Sequence, residues 1–140
     1  HQVGLTWSEV SRRYVDDEPE FYTPRAWRGR PIDSKQGSHG TIKGTNIADQ
    51  CLRETNQLAL KNYKLLLAQN VAPEMARMVL PQTLMTEWYW SGSLHAFARV
   101  CNQRLDHDTQ IETQTIAAGL HKHCSKLFPH SWKALTQEIK

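Results

Sequence analysis

A chain of 140 residues and 16.1 kDa suffices for one compact domain and is too short for two ordinary ones. With 17 Lys+Arg against 14 Asp+Glu and 39% hydrophobic residues, it is not a disordered chain, a collagen-like fibre or a membrane-embedded protein. No run approaches the roughly 18 apolar residues of a membrane helix, and the opening residues show no signal-peptide pattern. The formal charge of +3 is dispersed. Residues 1–40 carry six basic and six acidic groups, residues 41–70 four and two, and residues 71–140 seven and six. A small helical nucleic-acid module, suggested by the charge and five Trp, therefore lacks a basic stripe, and no nucleic-acid partner is expected. Cys51, Cys101 and Cys124 form no CxxC pair and read as reduced, mostly buried residues of a cytoplasmic protein.

In chain order, residues 1–24 lack helical periodicity and hold the acidic run Asp16-Asp17-Glu18, so an extended or looping segment ending at Thr23-Pro24 is expected. Residues 28–46 contain four of the seven glycines and read as a flexible surface loop. Helix follows. Ile47, Cys51, Leu52, Leu58, Ala59, Tyr63, Leu66 and Leu67 form the expected stripe, with Thr45 or Asn46 as N-cap. Pro73 permits a fresh start, and 74–80 makes about two turns before Pro81 interrupts. Residues 82–90 are dense in large side chains. Ser93 caps a helix through about Arg104, and Asp106 or Asp108 caps the last one, with Ile116, Leu120, Cys124 and Leu127 as its inward stripe. The whole reads as one helix-rich α+β piece.

Three clusters carry chemistry. Ser8-Glu9-Val10-Ser11-Arg12-Arg13-Tyr14 offers guanidinium forks and hydroxyls suited to a phosphate, with a carboxylate for ribose hydroxyls or ring N–H groups. The bland alternative is a solvated, salt-bridged strand end. Arg77, set in Met75-Ala76-Arg77-Met78-Val79-Leu80-Pro81, either binds an anion or snorkels to the surface. Around Asn102-Gln103-Arg104-Leu105-Asp106, with Gln110 and Glu112 beyond, the alternative is a helix end with Arg104 set against its dipole. His121, His123 and Cys124 imitate a metal set. On a helix, however, residues i and i+2 point about 200° apart, so no metal site is expected there.

Taken in order and spacing, these segments resemble the flavin-dependent thymidylate synthases. The family carries an Arg-His-Arg triplet, then N-E-x-S-x-R-Y, E-F-Y-x-P, x-A-R-x-V-L-P and R-x-D-x-H-A-Q-x-E. This chain offers His1-Gln2, Ser8 to Tyr14, Glu20-Phe21-Tyr22-Thr23-Pro24, Met75 to Pro81, Thr86-Glu87-Trp88-Tyr89-Trp90, and Arg104-Leu105-Asp106 leading to Gln110 and Glu112. The resemblance spans nearly the whole chain, least so at 28–46. It implies the helix-rich part of that fold with N-terminal strands missing, roughly the C-terminal two-thirds of a longer chain cut inside its triplet.

The resemblance also implies methylation of dUMP to dTMP, with methylenetetrahydrofolate as carbon donor and NADPH as reductant through bound FAD. It implies a cytoplasmic homotetramer, bacterial or in a virus-infected host cell, with active sites shared between subunits. Glu9, Ser11, Arg12 (through its backbone) and Arg13 would bind dUMP from one subunit. Arg77 and Arg104 would reach it from another, Arg104 acting at the uracil ring. Glu9, His1, Gln2, Ser93, His95 and Arg99 would contact FAD. The pattern departs in places. His1-Gln2 matches the second and third triplet members with one extra residue before Ser8, or His1 falls on the first Arg without a gap. Ser8 replaces Asn; Ser93, His95 and Arg99 replace Asn, Arg and Asn; Asp108 and Thr109 replace His and Ala. The competing reading is a catalytically incomplete or split piece that binds dUMP and assembles with a missing N-terminal part.

Overall fold

The computed structural model describes residues 3–32 and 37–136; His1 and Gln2, with the flavin roles expected of them, lie outside the described residues. The elements run β1 (Leu5–Glu9), β2 (Arg28–Gly29), β3 (His39–Thr41), α1 (Asn46–Ala68), α2 (Pro73–Ala76), a 3-10 turn (Arg77–Val79), β4 (Trp88–Gly92), α3 (Leu94–Arg104), α4 (Ile111–Leu127) and α5 (Pro129–Leu135). Strands β1 and β4 pair, as do β2 and β3. Within the 28–46 segment, read as loop from its glycines, the β2–β3 pair is therefore ordered backbone. The mixed, helix-rich α+β class agrees with the sequence.

The chain divides into two compact units, one built from residues up to Trp7, from Arg28 to Gly40 and from Trp90 onward, the other from Ser8–Trp27 and Thr41–Tyr89. In the first unit, α3, α4 and α5 surround a core of Ala98, Cys101 and Trp132, flanked by Leu94, Phe97, Leu105, Leu120, Cys124 and Leu135. Trp132 buries its ring and donates its indole N–H to Nδ1 of His121 at 3.1 Å. His121 is thereby a packing partner of Trp132, their rings meeting edge to face at 5.8 Å. Asn102 on α3 donates to the carbonyl of Leu135 at 3.2 Å, and Arg28 holds both carboxylate oxygens of Glu112 at 2.7 Å. Gly92 has a packing reason: a Cβ there would lie 2.5 Å from the carbonyl oxygen of Gly4 and from Leu5.

In the second unit, α1 lies against α2 and the 3-10 turn, burying Ala59, Tyr63 and Ala76. Its C-terminus is closed by Asn70 at φ 60, with N–H bonds from Asn70 to Leu67 and from Val71 to Leu66, a Schellman arrangement. Pro73 starts α2, and the residue before Pro81, Leu80, turns extended at ψ 135, which ends the 3-10 turn.

Several local expectations fail for identifiable reasons. Ile47, Cys51 and Leu58 are exposed, whereas Leu52, Ala59, Tyr63, Leu66 and Leu67 face inward to varying depth. The two sets lie about 120° apart around the helix, so the apolar residues of α1 form two faces and only one is covered. On α4 the inward residues are Ala117, Leu120, His121 and Cys124, while Ile116 and Leu127 are exposed. Neither Asp106 nor Asp108 caps α4; Gln110 occupies the N-cap without a side-chain bond. Gln114 reaches back to the carbonyls of Asp106 and Thr109 at 2.9 Å each, and holds the preceding turn outside the helix. Ser93 does cap α3, accepting from Ala96 N–H at 3.2 Å.

All three thiols are free, Cys51 exposed, Cys124 half-buried and Cys101 buried. Burial, with nearby Cys124 adding to it, pushes the Cys101 thiol from 9.0 up to about 11. The folded state therefore resists ionisation that the unfolded chain accepts. The stabilisation from the neutral thiol is complete below about pH 9 and is lost as pH rises through about 11. Thermal melting should hold steady up to pH 9 and fall between pH 9 and 11, less steeply in Cys101→Ala. At pH 8 a thiol reagent should modify Cys51 first and Cys101 only on unfolding.

Candidate functional site

The second unit contains an open cleft of about 820 Å³ whose lining includes Glu9, Ser11, Arg12, Asp17, Glu18, Glu20, Arg77, Thr86 and Glu87. Two stretches of backbone pairing build it. Val10 N–H bonds to the carbonyl of Glu87 at 2.9 Å, which continues the β1–β4 ladder to the cleft edge. Tyr22 N–H bonds to Thr83 at 2.7 Å and Met85 N–H to Glu20 at 2.8 Å, around an antiparallel bridge between Phe21 and Leu84. Arg77 stands at the first position of the 3-10 turn, so residues far apart in sequence meet on one wall-and-floor arrangement.

The segment after β1 curls into a turn in which the Ser11 carbonyl accepts from the N–H groups of Tyr14 and Val15 at 3.1 Å each. This turn presents the Ser11 hydroxyl, which accepts from Arg13 N–H at 3.3 Å and from its Nε at 3.1 Å. Arg13 also lies over the Tyr14 ring at 5.1 Å. The Arg12 guanidinium donates through Nη1 to the carbonyl of Asp17, leaving its remaining donors uncommitted. Thr86 donates its hydroxyl to Oε1 of Glu9 at 2.8 Å and so orients that carboxylate. Arg77 uses Nε on the Glu74 carbonyl at 3.2 Å, which leaves the two terminal nitrogens of its fork uncommitted. Glu18 is engaged by Lys64 at 2.7 Å.

Charge in the cleft is mixed. Five carboxylates line it (Glu9, Asp17, Glu18, Glu20 and Glu87) against two guanidiniums (Arg12 and Arg77). Such a lining suits a ligand that carries both hydroxyl or N–H donors and an anionic group. Glu9, Ser11, Arg12 and Arg77, singled out from sequence, thus line one cleft; Arg13 adjoins it through Ser11. Arg104, Ser93, His95 and Arg99 belong to α3 in the other unit. Arg104 is exposed in the last turn of α3 and makes no hydrogen bond or ion pair among the described residues. His95 and Arg99 sit one turn apart on the exposed face of α3, also unengaged, whereas Ser93 is committed to its cap. Sequence reasoning gave no role to Thr86. The signal was its place in the paired 83–87 stretch, visible only once that pairing is known.

Outside this cleft, Asp106, His107 and Asp108 bring three ligand-type groups together, all exposed, with His107 Nδ1 2.8 Å from Asp106 and Nε2 3.2 Å from Asp108. No helix among the described residues is long and apolar enough to cross a membrane.

Residues 1–130 match the family described as thymidylate synthase complementing protein. A relative named flavin-dependent thymidylate synthase from Thermus thermophilus is 36% identical over 94% of this chain and 48% of its own length. Another of that name, from Thermosipho africanus, is 30% identical over 96% of this chain and 59% of its own. The chain spans about half the length of the curated relatives it matches. Among solved structures, the UMP/dUMP methylase PolB from Streptomyces cacaoi bound with 5-Br UMP superposes with a TM-score of 0.85 at 22% identity. The match covers 97% of this chain and 65% of that one, and it shows a shared fold.

Proposed function

Because the chain belongs to the thymidylate synthase complementing protein family, whose relatives are flavin-dependent thymidylate synthases, we propose that its cleft binds dUMP for methylation to dTMP. The observation that carries this reading is the convergence of Glu9, Ser11, Arg12 and Arg77 on one cleft in the second unit. The free fork of Arg77 and the remaining donors of Arg12 bind the phosphate through charge-assisted hydrogen bonds. Ser11 adds a hydroxyl and steers Arg13 toward the same group. Glu9, one oxygen fixed by Thr86, accepts from a sugar hydroxyl or the ring N–H with the other. A dianion beside five carboxylates needs more positive charge than two guanidiniums supply. Arg104 from a second subunit would answer that need near the uracil carbonyl, in a homotetramer with shared sites.

The flavin fits the donor set on α3. His95 and Arg99, unengaged and one turn apart, are suited to hold the diphosphate of FAD, and the Ser93 hydroxyl can still donate. Bound FAD supplies the redox chemistry, with NADPH as reductant and methylenetetrahydrofolate as carbon donor. The protein's own part is to fix the pyrimidine, screen its phosphate and place a cation where negative charge develops, so no activated protein nucleophile is required. A second reading is favoured by the half-length coverage of the relatives: the chain binds dUMP but turns over only with a complementary N-terminal part.

Titration calorimetry with dUMP should show Arg77→Ala binding about 10- to 100-fold more weakly than the native chain, with unchanged circular dichroism. Equal affinity would remove Arg77 from the site. Arg104→Ala should lower dUMP-dependent NADPH oxidation by a similar factor without altering the melting temperature. A chain that binds dUMP yet oxidises NADPH only after an N-terminal fragment is added would establish the second reading over the first.

A further inference from the structure

Thr86 is held in place from both sides. On one side the Met85 N–H bonds to the Glu20 carbonyl at 2.8 Å, and on the other the Glu87 carbonyl accepts from Val10 N–H at 2.9 Å. Its backbone is therefore clamped between two different segments, and its β-branched side chain has few rotamers open to it. The same pairing sets register. Thr6 bonds to the Ser91 carbonyl and Val10 to that of Glu87, so the two stretches run in opposite directions. Glu9 and Thr86 are then diagonal neighbours across them, within reach of a long side chain. The Thr86 hydroxyl meets Oε1 of Glu9 at 2.8 Å. An ionised carboxylate only accepts, so the hydroxyl hydrogen points at Oε1, and Oε2 keeps its lone pairs for another donor.

Glu9 needs this tether because of its neighbours. Asp17, Glu18, Glu20 and Glu87 line the same cleft, and Glu18 alone of these four has a cation on its side chain among the described residues, Lys64 at 2.7 Å. A free Glu side chain in such company turns away from the like charges into solvent. Thr86 counters that with a neutral donor, so the direction of Glu9 is set while its charge stays whole. Both side chains are exposed, and the bond contributes little to the folded state while water competes for it. It matters once a ligand fills the cleft and displaces that water, because a hydrogen bond is electrostatically stronger in the lower dielectric left behind. A phosphate dianion carries acceptors only and offers Oε2 nothing to accept, whereas a sugar hydroxyl or a ring N–H does. We infer that Thr86 is a positioning residue for the nucleoside part of the ligand. It aims Oε2 of Glu9 at a hydroxyl or N–H donor and leaves the phosphate to the arginines. The inference rests on the reading of this cleft as a dUMP site.

Titration calorimetry tests this with dUMP, with 2′,3′-dideoxyuridine 5′-phosphate, which lacks the sugar hydroxyl, and with 1,2-dideoxyribose 5-phosphate, which lacks the ring. Thr86→Val keeps the shape and loses the hydroxyl. It should bind dUMP about 5- to 20-fold more weakly, with unchanged circular dichroism and melting temperature. Thr86→Ser, which keeps the hydroxyl, should stay within about threefold of the native chain. The loss should disappear for whichever phosphate lacks the donor that Glu9 reads. That is the dideoxy nucleotide if the donor is the sugar hydroxyl, and 1,2-dideoxyribose 5-phosphate if it is the ring N–H. In a Glu9→Ala background, Thr86→Val should weaken dUMP by less than about twofold more, because Thr86 acts through Glu9. A loss of equal size on every one of these phosphates overturns the inference, and so does a loss that adds in full to that of Glu9→Ala. A Thr86→Val chain that binds dUMP as the native chain does overturns it too, and leaves the dUMP reading standing. A native chain that binds no dUMP removes that reading and this inference together.

Discussion

Residues 20–22 and 83–85 bond to one another through Tyr22 to Thr83 and Met85 to Glu20, at 2.7 and 2.8 Å, and the cleft depends on that short antiparallel pairing. Backbone bonds of this kind are indifferent to side-chain identity, yet they set register to the residue. Once Phe21 is opposite Leu84, the chain running into Pro81 must deliver the 3-10 turn with Arg77 beside the turn that begins at Ser11. The motifs around 9–14, 20–24 and 75–81 are separate on paper. They are one wall system in the fold because each is tied to the 83–87 stretch or leads into it.

Electrostatics then divides labour within that wall system. Carboxylates outnumber guanidiniums in the cleft, and two of the carboxylates already have fixed partners, Glu9 with Thr86 and Glu18 with Lys64. Such fixing matters beside the raw charge, since an acceptor already oriented needs less reorganisation when a ligand engages it. On the reading that the cleft takes a nucleotide phosphate, the same imbalance limits what the second unit can do alone. That imbalance is the physical reason behind the proposal that a cation from elsewhere joins the site.

Much of this was legible from residues and spacing. Ser93 as the N-cap of α3, Pro73 as a helix start and Pro81 as a stop follow from rules that act over three or four residues, and they hold. The family was legible as well, because ordered motifs survive even at 36% identity. The faces of α1 were not legible. An apolar list at helical spacing cannot say that Leu52, Ala59 and Tyr63 are covered while Ile47, Cys51 and Leu58 are bare, since both sets satisfy the same period. The two aspartates before α4 looked like caps, but Gln114 folds back onto that turn and moves the helix start to Ile111.

By itself the sequence determined composition class, the starts of α2 and α3, the stop at Pro81, and the chemical types offered by the clusters around Ser8–Tyr14 and Arg77, because those depend on single residues and their near neighbours. Tertiary structure alone decided which of them share a cleft, which histidine is spent on Trp132, and which side of α1 is left uncovered. The shared cleft depends on pairing between segments more than sixty residues apart, as with Tyr22 and Thr83, while the other two depend on how successive helices pack, and no local period encodes any of them.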